Sequence, residues 1–124
     1  MKKKRASGLQ RIANAFGYSR EGLIAVFKSE AAFRQELALC AVLVAITVFL
    51  PLERVEYVLL YASLVLLLIV ELINTAIETV VERISTQTNS LSKKAKDIGS
   101  AAVLLAFILV LIVWGPILWQ VAQR

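Results

Sequence analysis

The sequence predicts an all-α membrane protein, with an N-terminal amphipathic surface helix followed by three transmembrane helices. Long apolar blocks, a helical spacing of apolar residues ahead of the first block, and basic residues confined to particular linkers carry that reading. Of the 124 residues 59% are hydrophobic, and the mean hydropathy is +0.75. Soluble domains average about 45–50% apolar residues. A chain of this length is one domain at most, so residues 1–124 are expected to form a single membrane-integral unit.

The surface helix is expected over about residues 7–28. Leu9, Ile12, Ala13 and Phe16 recur at i, i+3, i+4 and i+7. After Gly17, Tyr18 and Ser19 a second piece repeats the spacing with Leu23, Ile24 and Phe27, and Ser19 is placed to start a new segment. Arg11, Arg20, Glu21 and Lys28 make the other face, suited to anionic headgroups. The opening Met-Lys-Lys-Lys-Arg looks like the start of a signal peptide, but no apolar stretch follows it, so no cleavage is expected.

The first span is expected over about 33–52, closed by Pro51, and the second over about 57–84. The uncharged part of the second, Tyr57–Val70, is 14 residues. That is about 21 Å of helix against a hydrocarbon core of about 30 Å. If this segment spans, Glu71 and Asn74 lie inside the membrane boundary. The third span is expected over about 98–119, with Trp114 and Trp119 as interface anchors and Pro116 near its end, where a break costs least. The region before the first span is strongly basic, and Arg83, Lys93, Lys94 and Lys96 lie between spans two and three. Only Arg54 lies between spans one and two, and only Arg124 follows span three. Positive-inside counting puts the N-terminus and the 83–97 loop in the cytoplasm. A thin three-helix chain with polar faces is expected to self-associate.

Composition also excludes chemistry. There is no histidine, which removes Ser-His-Asp and Cys-His catalysis and histidine-ligated zinc. Cys40, the single cysteine, sits in an apolar run and reads as a small buried hydrophobe. No basic stripe interleaves with exposed aromatics, so no nucleic-acid partner is expected. No Walker-type loop and no protein-kinase signature is present.

What remains is a stripe of acid. Glu71, Asn74, Glu78 and Glu82 are offset by 0, 3, 7 and 11 positions, within about 80° of one helix face. An ionisable group at membrane depth costs about 2.5–3.5 kcal/mol on insertion scales, so by default it marks function. The stripe suggests a cation, a metal or a proton, with Glu82 expected to face water beside Arg83. A second cluster holds Glu30, Arg34, Gln35 and Glu36. Glu30 and Arg34 are spaced for a local i, i+4 ion pair; alternatively Glu30 meets the stripe, and two carboxylates share a divalent cation with nucleotide phosphates. A third cluster, Lys94, Lys96 and Asp97, precedes the small residues Gly99-Ser100-Ala101-Ala102, which suit helix packing. An ion-conducting subunit would want a carboxylate at mid-span and gives Lys96 and Asp97 no role. A structural adaptor leaves the stripe unexplained.

Three segments carry a resemblance. E-A-A-F-R-Q-E (30–36), E-L-I-N-T-A-I-E (71–78) and A-K-D-I-G-S-A-A-V-L (95–104) resemble the signatures of the small membrane-integral bacterial diacylglycerol kinases, in order and spacing, over about residues 11–119. The resemblance implies an ATP-dependent kinase that phosphorylates 1,2-diacylglycerol to phosphatidic acid. It implies a homotrimer in the bacterial inner membrane, with its active site facing the cytoplasm and Mg2+ accompanying ATP. A close variant would use undecaprenol. By the same resemblance Glu71 is the general base, and Glu30 and Glu78 hold the metal. Arg11, Tyr18, Glu30, Glu78, Gln87, Thr88, Asn89, Lys96 and Asp97 are implied at the nucleotide. Arg11, Ala32, Phe33, Arg34, Gln35, Glu36, Glu71, Asn74 and Ser100 are implied at the lipid or in support of the site. Glu82 stands where Asp is common, and Gln87-Thr88-Asn89 lacks a histidine found in some relatives. Spacing alone leaves open which glutamate is base and which binds metal.

Overall fold

Ser7 opens the first helix by accepting a hydrogen bond from the Gln10 N–H at 3.3 Å, which satisfies one of the orphan donors of a helix start. In the computed structural model, which describes residues 7–84 and 89–124, α1 then runs unbroken over Gly8–Ser29. The break expected near Gly17–Ser19 does not occur. One interior glycine costs about 1 kcal/mol, too little to end a helix. Ser19 directs its hydroxyl back to the Ala15 carbonyl at 2.8 Å rather than capping a new segment.

Glu30 ends α1 and begins α2 in one residue, with extended backbone (φ −113°, ψ 106°). The second helix, α2, covers Ala31–Thr47. It stops short of the expected end near Leu52. Pro51 disfavours helix at the residue before it, and i→i+3 bonds from Val48, Phe49 and Leu50 tighten the chain out of the helix.

The third helix, α3, spans Arg54–Ile84. Glu56 reaches back to the Glu53 N–H at 2.9 Å, half of a capping box and a favourable charge at a helix N-terminus. The fourth, α4, spans Ser90–Ala122 after Asn89 accepts from the Ser92 N–H at 2.8 Å. Helix thus replaces most of the loop expected up to Lys96, because Asn89 is a strong N-cap and the residues after it tolerate helix. At its other end α4 continues through Pro116, where the ring removes a single ladder bond. With 31 and 33 residues, α3 and α4 are long and apolar enough to cross a membrane.

Packing centres on α3 and α4, with α2 alongside. Leu60, Leu64 and Leu67 of α3 meet Ala106, Val110 and Trp114 of α4 and Cys40 of α2. The α3 series steps by four and three, a heptad seam. Gly99 and Ala106, both buried, let α4 approach closely. Trp114 is not the interface anchor expected. It is buried, and its Nε1–H donates to Ser63 Oγ at 3.1 Å and to the Leu60 carbonyl at 3.3 Å, which pins α4 to α3. Trp119 is 72% exposed, as an anchor would be. Hydroxyls on α3 satisfy themselves within the helix: Ser63 donates to Leu60 O, Thr75 to Glu71 O and Thr79 to Thr75 O, as a medium without water requires. Many apolar side chains of α1 and α4 face outward, Leu9, Phe16, Leu105 and Leu111 among them.

At the Glu56 end, Arg124 clamps the bundle. Its Nη1 donates to Glu56 Oε1 and to the Pro51 carbonyl, each at 2.8 Å, and Nη2 to Glu56 Oε2 at 3.1 Å. The guanidinium holds the Glu56 carboxyl below the ordinary value of 4.5. A depressed carboxyl stabilises the fold fully above its unfolded pKa and loses that contribution as pH falls through its folded pKa. Arg124→Ala should therefore lower the unfolding temperature in detergent at neutral pH. The gap to wild type should close on acidification below the ordinary 4.5. A gap unchanged across that range would remove the clamp from the stability of the fold.

Candidate active site in a carboxylate-lined cleft

The α3 seam does not end at Leu67. Its next positions are Glu71, Asn74 and Glu78, so the helix keeps its face and changes its chemistry. These side chains open onto a cleft of about 430 Å³. Glu30, Ala32 and Glu36 line it from the elbow and α2, and Ser100, Val103, Leu104 and Phe107 from α4. One part of the lining is acidic and the other apolar, a combination suited to a polar headgroup on an apolar tail. Glu71 is 6% exposed, Glu36 7% and Asn74 8%; Glu30 and Glu78 are half-buried.

Within the cleft the Glu36 carboxyl adjoins that of Glu71. Asn74 Nδ2 donates to Glu78 Oε1 at 3.4 Å. Two buried oxygens, Glu36 Oε2 and Asn74 Oδ1, have no hydrogen-bond partner among the described residues. Leaving such a group unsatisfied costs about 1–3 kcal/mol, and in a native fold that cost marks strain, a reactive role or a ligand's place.

The local ion pair between Glu30 and Arg34 is not formed. Arg34 Nη1 instead donates to the carbonyls of Phe27 at 2.6 Å and Lys28 at 3.1 Å. Those carbonyls are the orphan acceptors at the end of α1, where the helix dipole also favours a cation. Arg34 therefore builds the elbow, and Glu30 is left without an ion pair among the described residues.

The remaining expected site residues are distributed unevenly. Phe33 is buried where α2 meets α1, near Leu23, Ile24 and Phe27, and Gln35 is exposed outside the cleft lining. Arg11 and Tyr18 are exposed on α1, about 28 and 18 Å along the helix from the elbow. Lys96 is exposed, and Asp97 pairs with Lys93 at 2.6 Å, which holds the Lys93 ammonium pKa above its ordinary value. Asp97 lies one turn before Ser100, about 4.5 Å along α4. Asn89 is the α4 cap, whereas Gln87 and Thr88 lie outside the described residues. Glu82 is exposed, as expected. Sequence reasoning missed Val103, Leu104 and Phe107, although their spacing from Ser100 (i+3, i+4, i+7) was the available signal.

Glu30 and Glu78 present hard oxygen donors in one cleft, the set Mg2+ accepts when phosphates complete its shell. Among the described residues no group of three His, Cys, Asp or Glu could hold a metal ion.

By fold the chain is thus an all-helical protein with two helices long and apolar enough to cross a membrane, whose described residues gather acids, a carboxamide and a hydroxyl beside an apolar wall. Comparison with known proteins narrows that class. Residues 17–118 match the family described as prokaryotic diacylglycerol kinase, and the chain belongs to it. A diacylglycerol kinase of Haemophilus influenzae is 44% identical over 115 residues, which cover 93% of this chain and 98% of that one. Those of Pseudomonas aeruginosa and Escherichia coli K12 are each 47% identical, covering 93% and 92% of this chain and 94% and 93% of theirs.

Arg34→Ala should loosen the elbow. Amide exchange at residues 27–33 should quicken roughly tenfold, the effect of about 1.4 kcal/mol from the lost bonds. The α3–α4 core should keep its protection. Unchanged exchange at the elbow would show that these two carbonyl contacts do not hold it.

Proposed function

We propose that this cleft carries phosphoryl transfer from ATP to the primary hydroxyl of a 1,2-diacylglycerol, yielding phosphatidic acid and ADP. The chain is a diacylglycerol kinase, a lipid phosphotransferase of bacterial membranes. The observation that best supports this site is the convergence of Glu30, Glu71, Asn74 and Glu78 from the elbow and α3 in one cleft whose α4 side is apolar.

Phosphoryl transfer needs positioning and charge neutralisation more than covalent chemistry. Glu71, buried beside the apolar lining, takes the proton of the lipid hydroxyl as that oxygen attacks the γ-phosphorus. The bond from the γ-phosphorus to the bridging oxygen breaks, and ADP leaves. Glu30 and Glu78 would hold Mg2+ together with the phosphates, and the bound ion would supply charge neutralisation. Asn74 and Ser100 offer hydrogen bonds at the headgroup, and Glu36 supports Glu71 from α2. Lys96 and Asp97, about one turn up α4, are suited to the nucleotide. Arg11 and Tyr18 would contribute from α1.

We read the apolar stretches of α2, α3 and α4, the second from about Tyr57 and the third from about Ile98, as three spans, with α1 at the membrane surface and the N-terminus in the cytoplasm. Basic residues before α2, together with Arg83 at the end of α3 and Lys93, Lys94 and Lys96 at the start of α4, support that orientation. Measured from Tyr57, Glu71 lies about 21 Å and Glu78 about 31 Å along α3, against a core of about 30 Å. The base would then sit about 9 Å inside the boundary and the metal ligand at it, where a lipid hydroxyl and cytoplasmic ATP can meet. A homotrimer in the inner membrane would let neighbouring copies shield the polar faces of this thin bundle from lipid.

Glu71→Gln should keep its assembly and lose phosphate transfer by about 10²- to 10⁴-fold, the usual contribution of a general base. The assay is radiolabelled-phosphate transfer from ATP in mixed micelles that offer diacylglycerol and undecaprenol in parallel. Near-normal turnover would remove Glu71 as the base, and label in undecaprenol alone would reassign the substrate. In the same assay Glu30→Gln and Glu78→Gln should each shift the magnesium titration to higher concentration. Titrations unchanged in both variants would take the two residues out of the metal site.

A further inference from the structure

Gly99 is buried on α4 directly against Asn74 of α3. A Cβ built on Gly99 would collide with Asn74 Oδ1 and lie 3.2 Å from its Cγ. Gly8, Gly17, Gly22 and Gly115 would each accept a Cβ with nothing within 4 Å. Gly99 has no positive φ, so its backbone does not call for glycine. The space occupied by the Asn74 carboxamide does.

That carboxamide has two ends with different surroundings. Its Oδ1 lies buried against Gly99, and its Nδ2 donates to Glu78 Oε1 at 3.4 Å. The oxygen's seat on α4 fixes which way the amide nitrogen points along α3. We infer that Gly99 is a positioning residue for phosphoryl transfer: by having no side chain it seats the Asn74 carboxamide and so aims the Asn74 donor and the Glu78 carboxylate at the cleft. This rests on the reading that Asn74 and Glu78 work in the site. Gly99 touches no reacting atom itself and acts only through Asn74. A methyl group at this position must push the carboxamide aside, and a misplacement of about 1 Å can cost on the order of 100-fold in rate. A glycine that only let two helices approach would act without regard to Asn74.

The test is a double-mutant cycle on the full chain in mixed micelles, with kcat, KM for ATP, oligomer size and unfolding temperature read for Gly99→Ala, Asn74→Ala and the double variant. Gly99→Ala should stay assembled and lose kcat by about 100-fold with little change in KM. Added to Asn74→Ala, it should change kcat by less than about twofold, because coupled residues do not add. An equal loss in both backgrounds, or a Gly99→Ala enzyme with normal kcat, would overturn the inference. If Gly99→Ala alone fails to assemble, the double variant decides. Its recovery supports the contact with Asn74, and its failure overturns the proposal. Normal activity in Asn74→Ala would instead count against the reading of the site on which the inference rests.

Discussion

One face of α3 governs this molecule. Leu60, Leu64, Leu67, Glu71, Asn74 and Glu78 follow a single alternation of four and three, so the surface that grips α4 is also the surface that carries the acids. Between apolar helices in lipid there is little hydrophobic drive, and association depends on close fit and polar contacts. The leucines, the Trp114 indole on Ser63, and the small Gly99 and Ala106 supply that fit. The acids inherit their placement from it. Glu71 and Asn74 are buried because they occupy seam positions, and α4 stands beside them for the same reason.

The two ends of the bundle treat buried charge in opposite ways. At the Glu56 end every demand is met: Glu56 accepts from Arg124 twice and from the Glu53 N–H, and Arg124 also donates to Pro51. At the Glu71 end the acids stand together without an ion pair among the described residues, and two oxygens are unsatisfied. A fully compensated group is fixed and chemically quiet, whereas an uncompensated one retains affinity for whatever enters. The contrast sets an end whose charges are fully compensated against one whose acids are not.

Much of this was legible because it is periodic or because it breaks a rule. The stripe on α3 could be read from offsets alone, and its buried members are those the offsets placed deepest. The apolar blocks yielded α3 to within about three residues at either end, whereas α4 begins eight residues before the expected span. For Arg34, i, i+4 spacing offered Glu30 as one partner and left the matter open, because the partners it takes, the Phe27 and Lys28 carbonyls, belong to a helix end that only the turn at Glu30 exposes. Trp114 was misread because an indole near a span end suits an interface as well as it suits a buried hydroxyl on another helix. The helical start of α4 was hidden by its lysines, which suggest a loop by charge though not by propensity. Gly99 was visible only as a small residue. That it faces a carboxamide is a fact of two helices, not of one.

The seam also constrains length. From Glu56 to Glu71 the helix advances 15 residues, about 22 Å, with Arg124 gripping one end and the cleft at the other. Gaining or losing one residue in this stretch would turn the acids about 100° away from α4 while the grip on Glu56 stayed in place. Seven residues would bring them nearly back into phase but shift them about 10 Å along the axis, a third of the hydrocarbon thickness. Side chains along the stretch are free to vary wherever packing allows, but the number of residues is not. The helix works as a fixed-pitch screw, and its thread count sets both the direction of the acids and their depth.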